Sequence, residues 1–156
     1  MEGDILRILY TGFKGKNNSS YQLLSKVSGE KLFLTNSFKG LRNDIGNIAD
    51  QYDLVVMFGL DTKLMDMVRI ERVAEYDGVA ITTKIECEAI CNHMEENDIH
   101  CVVSEVPTKY LCNAAYYHML HKTAGNAVLI HIPSSKNMSE YMMEKIVKSM
   151  GKILNV

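Results

Sequence analysis

Cys112 stands where a broken stretch of chain turns into a helical pattern. In "SEVPTKYLCNAAYYHMLH" (104–121), Pro107 and Thr108 interrupt the chain. After them Ala115, Tyr116, Met119 and Leu120 recur at helical spacing, which predicts a helix over 112–122. Cys112 then lies near a helix N-terminus. Unpaired backbone N–H groups and the helix dipole there favour a thiolate over a thiol. The same N–H groups can donate to an oxyanion. A thiolate that attacks an amide also needs an acid/base partner, because the leaving amine must be protonated. His131 ends the run "AVLIH", two residues before Pro133, and is the candidate. On these residues alone, a structural cysteine at a helix start is the better account.

The other cysteines and histidines fit plainer roles. Cys87, Ile90, Cys91 and Met94 fall at i, i+3, i+4 and i+7, the stripe of a helix core, where free cysteine packs as a small hydrophobe. A metal site of Cys87, Cys91, His93 and Cys101 is the sharper alternative. It lacks the C-x2-C pairs of structural zinc sites, so no metal and no cofactor are expected. Cys101, inside "CVVS", reads as a buried strand residue. His93, His100, His118 and His121 sit in polar contexts that solvent exposure explains.

These candidates need elements to hold them. Short apolar runs at 5–11, 31–35, 53–59, 100–104 and "AVLIH" read as strands. The run at 53–59 is continuously apolar, as in a strand buried on both faces. The alternating "MVRIERVAE" (67–75) suggests an exposed or edge strand. Helices are expected from Ser19 or Ser20, as cap, to about Val27. A second carries Leu41, Ile45, Ile48 and Ala49, a third covers 84–97, and a closing one covers 138–154. Alternating strands and helices predict a single three-layer α/β/α domain over 1–156 with a mostly parallel twisted sheet, of the phosphorylase/hydrolase-like kind. In such sheets the chemistry sits at the carboxyl ends of the strands, where "TGF", the "FG" of the third run and His131 all fall.

Composition narrows the function. The 156 residues carry a net charge of -2 and 47% hydrophobic side chains, so a sizeable core is expected. No basic stripe points to nucleic acid. Neither a signal peptide nor a membrane span is recognisable, and the cysteines show no disulfide framework. A cytoplasmic setting is expected, with a small-molecule or peptide substrate and no membrane partner.

Several segments, in one order along the chain, resemble pyroglutamyl peptidase I, the pyrrolidone-carboxylate peptidases. That family carries S-x-x-A-G-T-x-x-C-N before a helix, and "SEVPTKYLCN" is similar with Ser104, Cys112 and Asn113 in register. Its F-I-H-V-P matches "LIHIP", its E-R-V-A matches Glu71, Arg72, Val73 and Ala74, and its opening TGF and NPSW resemble "TGF" and "NNSSYQLL". The resemblance implies a cysteine peptidase that removes N-terminal pyroglutamate. Cys112 would be the nucleophile, His131 the general base then acid, and Glu71 the carboxylate that orients the imidazole. Phe13 and Asn113 would contact substrate. Read without the resemblance, Glu71 is a solvated strand-edge residue with Arg72 as its ion partner. The resemblance also implies homo-oligomers.

The departures fall in the recognition elements. The first loop lacks the second aromatic and the proline of the family pattern, and "GLDTKLMD" replaces the segment with the substrate glutamine. The segment after "ERVA" is short, and no arginine follows Arg72, so the family's oxyanion arginine has no counterpart. The family's A-G-T is "PTK". The same triad acting on another small amide or acyl group, and a non-catalytic binding relative, are therefore the alternatives.

Overall fold

The computed structural model describes residues 6–153. The chain runs β1 (Ile8–Phe13), α1 (Ser19–Lys26), β2 (Glu30–Leu34), α2 (Phe38–Gly46), β3 (Leu54–Leu60) and β4 (Val68–Glu71). A hairpin of β5 (Val73–Tyr76) and β6 (Val79–Thr82) follows. Then come α3 (Cys87–Glu96), β7 (Cys101–Ser104), α4 (Leu111–Lys122), β8 (Ala127–Ile132) and α5 (Glu140–Met150). The predicted start of the first strand, at residue 5, and the predicted end of the last helix, at 154, lie outside the described residues.

Six strands form one sheet in the order β2-β1-β3-β8-β4-β7. All its neighbours are parallel except β4 and β8. Residues alternate between the two faces of a strand, so each face gathers its own core. Val56, Phe58, Ile70 and Ile130 pack with Leu23 and Leu24 of α1, Ile90 and Met94 of α3, and Ile146 of α5. Leu9, Met57 and Leu129 pack on the other face, with Leu41 and Ile45 of α2 and Tyr116 and Met119 of α4. The result is the mixed α/β architecture expected, with helices on both faces of a mostly parallel sheet.

Three expectations are corrected. The first helix is capped by Asn18, whose side chain accepts from the Ser20 N–H. Ser19 and Ser20 are buried inside the helix, where Ser19 Oγ donates to the Pro133 carbonyl (2.6 Å) and Ser20 Oγ accepts from the Phe13 N–H (3.1 Å). Those two bonds tie α1 to the carboxyl ends of β8 and β1. Second, β4 is no edge strand: it lies between β8 and β7. Its alternation is that of a core face against a face of buried charge. Third, residues 67–75 hold two strands, with the chain leaving the main sheet after Glu71. Asp77 (φ 49°) and Gly78 (φ 76°) make the tight turn of the β5–β6 hairpin. Asp-Gly suits the positive φ that two-residue hairpin turns require.

Candidate active site

The proposed reacting residues are brought to one end of the sheet. His131 faces the α2/α4 side near the end of β8. Its register partners are Gly59 on β3 and Arg69 on β4. Glu71, two residues after Arg69, shares that face. His131 Nδ1 and Glu71 Oε1 are 2.8 Å apart, and both side chains are 3% exposed. A carboxylate there holds the imidazole with its Nδ1 proton inward and leaves Nε2 free for chemistry.

Cys112 arrives from above, as the second residue of α4. Two bonds fix that helix over the face that carries His131 and Glu71. Tyr116 Oη, fully buried, donates to the Glu71 carbonyl (2.8 Å). Asn113 Oδ1 accepts from the Glu75 N–H (3.0 Å), while its amide nitrogen donates to the Glu75 carbonyl. The sulfur then occupies the space that Gly59 leaves empty. A Cβ on Gly59 would lie 2.8 Å from Cys112 Sγ and 3.2 Å from His131 Nε2. Thiol and imidazole therefore converge on a single point above β3. The backbone N–H groups of Leu60 and of Cys112 itself both favour negative charge on the sulfur.

The helix N-terminus does not yield the thiolate expected there. Burial pushes the Cys112 thiol up to about 12; the two N–H groups oppose this, and the Asp61 and Glu71 carboxylates add to it. Desolvation thus outweighs the dipole, and the resting group is a thiol. Alkylation by iodoacetamide at pH 7 is accordingly expected to be slower at Cys112 than at a free thiol. Its rate should climb with pH and show no plateau below about pH 10, since an ordinary cysteine titrates near 8.5. A plateau near neutral pH would instead reveal a preformed thiolate–imidazolium pair.

The sequence reading missed the ion cluster around Glu71. Arg72 is not its partner; it turns away to Glu88 and Glu105. Arg69 is the partner: its Nε donates to Glu71 Oε1 (2.6 Å) and its Nη2 to Asp61 Oδ2 (2.7 Å), with His131 Nδ1 3.4 Å from that Nη2. Burial pulls the Arg69 pKa down, but the bonds to Glu71 and Asp61 prevail and raise it. Burial also opposes ionisation of Asp61, yet the Lys63 N–H and Arg69 hold its carboxyl below the usual range. The signal for Arg69 was its two-residue spacing from Glu71, which places both on one strand face.

The two residues expected at the substrate are otherwise engaged. Phe13 is 3% exposed and packs in the α2/α4 core. Asn113 spends both ends of its amide on Glu75. Cys87, Ile90 and Met94 lie in the opposite core, and Cys101 is buried. His93 is more than a solvated residue: its Nε2 lies 2.9 Å from the Ser149 carbonyl. A groove of about 730 Å³ adjoins the site at Leu60, lined also by Asn17, Gln22, Ser134, Lys136 and Asn137. Among the described residues, no helix is long and apolar enough to cross a membrane.

The arrangement is an α/β sheet with a cysteine, a histidine and a carboxylate gathered at the ends of its central strands. Among solved structures, that fold is the one seen in pyrrolidone carboxyl peptidases. The enzyme of that name from Fervidobacterium islandicum AW-1 superposes with a TM-score of 0.78 at 20% identity, over 96% of this chain and 97% of its own. The Thermus thermophilus pyrrolidone carboxyl peptidase gives 0.77 at 18% identity, over 94% and 98%. The Thermococcus litoralis protein gives 0.74 at 19%, over 94% and 90%. No protein-family model matches the sequence, and no curated protein matches it.

Proposed function

We propose that this protein is a cysteine hydrolase of the pyroglutamyl-peptidase kind, acting on N-terminal pyroglutamyl peptides through Cys112, His131 and Glu71. The observation that carries the reading is the convergence of the Cys112 sulfur and His131 Nε2 on the space above Gly59, with His131 Nδ1 held by Glu71 at 2.8 Å. The likeness to pyrrolidone carboxyl peptidases supports it.

The chemistry follows from those positions. His131 Nε2 takes the Cys112 proton as the sulfur bonds to the amide carbon, so the high thiol pKa is overcome only when substrate is in place. Leu60 and Cys112 N–H groups donate to the resulting oxyanion. The C–N bond breaks and the imidazolium gives its proton to the leaving amine. A thioester remains. His131 then takes a proton from water, the hydroxide adds to the thioester carbon, and the acid departs as the thiol is restored.

One observation favours a second substrate class. Phe13 is buried, Asn113 is occupied, and the groove beside Leu60 carries Lys136 among the amides and hydroxyls of Asn17, Gln22, Ser134 and Asn137. That surface suits another small amide or acyl group with the same triad. The deciding experiment is release of a fluorophore from pyroglutamyl, glutaminyl, glutamyl and N-acetyl amides. Release from the pyroglutamyl amide supports the first reading, release from another amide alone supports the second, and release from none overturns both.

A further inference from the structure

Glu71 offers one oxygen to two donors. Arg69 Nε and His131 Nδ1 both meet Oε1, at 2.6 and 2.8 Å, while the buried Oε2 has no partner among the described residues. Held by His131 alone, the carboxylate could swing either oxygen toward the ring. The rigid guanidinium fork removes that freedom, because its other arm is anchored 2.7 Å from Asp61 Oδ2. Asp61 follows Leu60 directly, and its N–H is bonded to the Ile132 carbonyl (3.0 Å). The loop that aims the Leu60 N–H at Cys112 is therefore anchored to the same arginine.

We propose that Arg69 is a positioning residue that clamps the Glu71 carboxylate on His131 Nδ1 and locks that pair to the Leu60–Asp61 loop. It also sets the charge around the imidazole. The charged or titratable groups facing His131 are Glu71 and Arg69 from β4, Asp61 after β3 and Cys112 from α4. Two carboxylates against one guanidinium leave a single negative charge, which an imidazolium balances. Without Arg69, two negative charges would face the ring and favour the imidazolium more strongly.

This inference rests on the proposed hydrolase site, but its test needs no turnover. The His131 ring is titrated by NMR in the full-length protein, its resonance identified by its loss in His131→Gln. Arg69→Gln is expected to raise the His131 titration by about one pH unit, and Glu71→Gln to lower it. Arg69→Lys, which keeps the charge but cannot reach both carboxylates with a planar fork, should titrate near the wild type. If Arg69→Gln fails to fold, Asp61→Asn serves instead: it removes one negative charge with a nearly isosteric side chain, and His131 should titrate lower. An unmoved His131 in folded Arg69→Gln or Asp61→Asn overturns the clamp. Cleavage by the wild type with unmoved titrations retracts only the clamp; the expected shifts in a protein that cleaves no amide retract only the hydrolase reading.

Discussion

Cys112→Ser is expected to lower hydrolysis of the best amide substrate by on the order of 10⁴-fold or more, with the fold intact. Single replacements of a nucleophile in a concerted triad cost about as much as removing the whole unit. The argument here is specific to this sulfur. A serine hydroxyl is far less acidic than the thiol already pushed up to about 12, so His131 would have to remove a much tighter proton. The substitution is nearly isosteric, and α4 keeps its anchors through Tyr116 and Asn113. The denaturant midpoint should therefore move little. Labelling discriminates further. Cys87 and Cys101 are buried, and burial raises both thiols. Under native conditions an alkylating probe has only Cys112 and the partly buried Cys91 within reach, and the variant should lose the first of these. Turnover close to that of the wild type would dismiss Cys112 as nucleophile, whatever its neighbours.

The sequence conveyed the layers better than the charges. Continuous apolar runs such as "LVVMFG" are satisfied between two helical layers, so the central strands were legible, as was the end of the sheet where Cys112, His131 and Glu71 gather. The pattern "VRIE" was misleading for a physical reason. Alternation reports that one strand face is polar, not that it is wet. Here the polar face is buried and its charges are paired across to Asp61 and His131, a compensation that depends on which strand lies next door. The hairpin after Glu71 was announced by Asp77-Gly78 and overlooked. The state of Cys112 could not be read locally at all. Its place at the start of α4 was legible, but the desolvation that reverses the expected shift comes from burial against the sheet, where Gly59 of β3 and His131 of β8 are brought beside it from other parts of the chain.

Gly59→Ala is expected to lower kcat/KM by on the order of 10²-fold, the scale of a misplacement of about 1 Å at a reacting centre. Gly59 is not needed for its backbone freedom, since it lies in a regular strand and not in the left-handed region. Its value is the missing side chain. In register with His131 on the neighbouring parallel strand, a residue at 59 points to the same face, so any Cβ would crowd both the imidazole and the sulfur. At 2.8 Å from Sγ and 3.1 Å from His131 Cδ2, that methyl cannot be accommodated unless one of them retreats. His131 is held by Glu71, which is held by Arg69. The sulfur is the end that yields, and retreat of α4 would strain its bonds to β4 and β5. A stability loss of about 1–3 kcal/mol is the expected accompaniment, as for other overpacked sites. Gly46→Ala is the control, because a Cβ there meets nothing within 4 Å; its activity should match the wild type. Full activity in Gly59→Ala would mean that thiol and imidazole do not need the space they share above β3, and the catalytic geometry assigned to them would have to be abandoned.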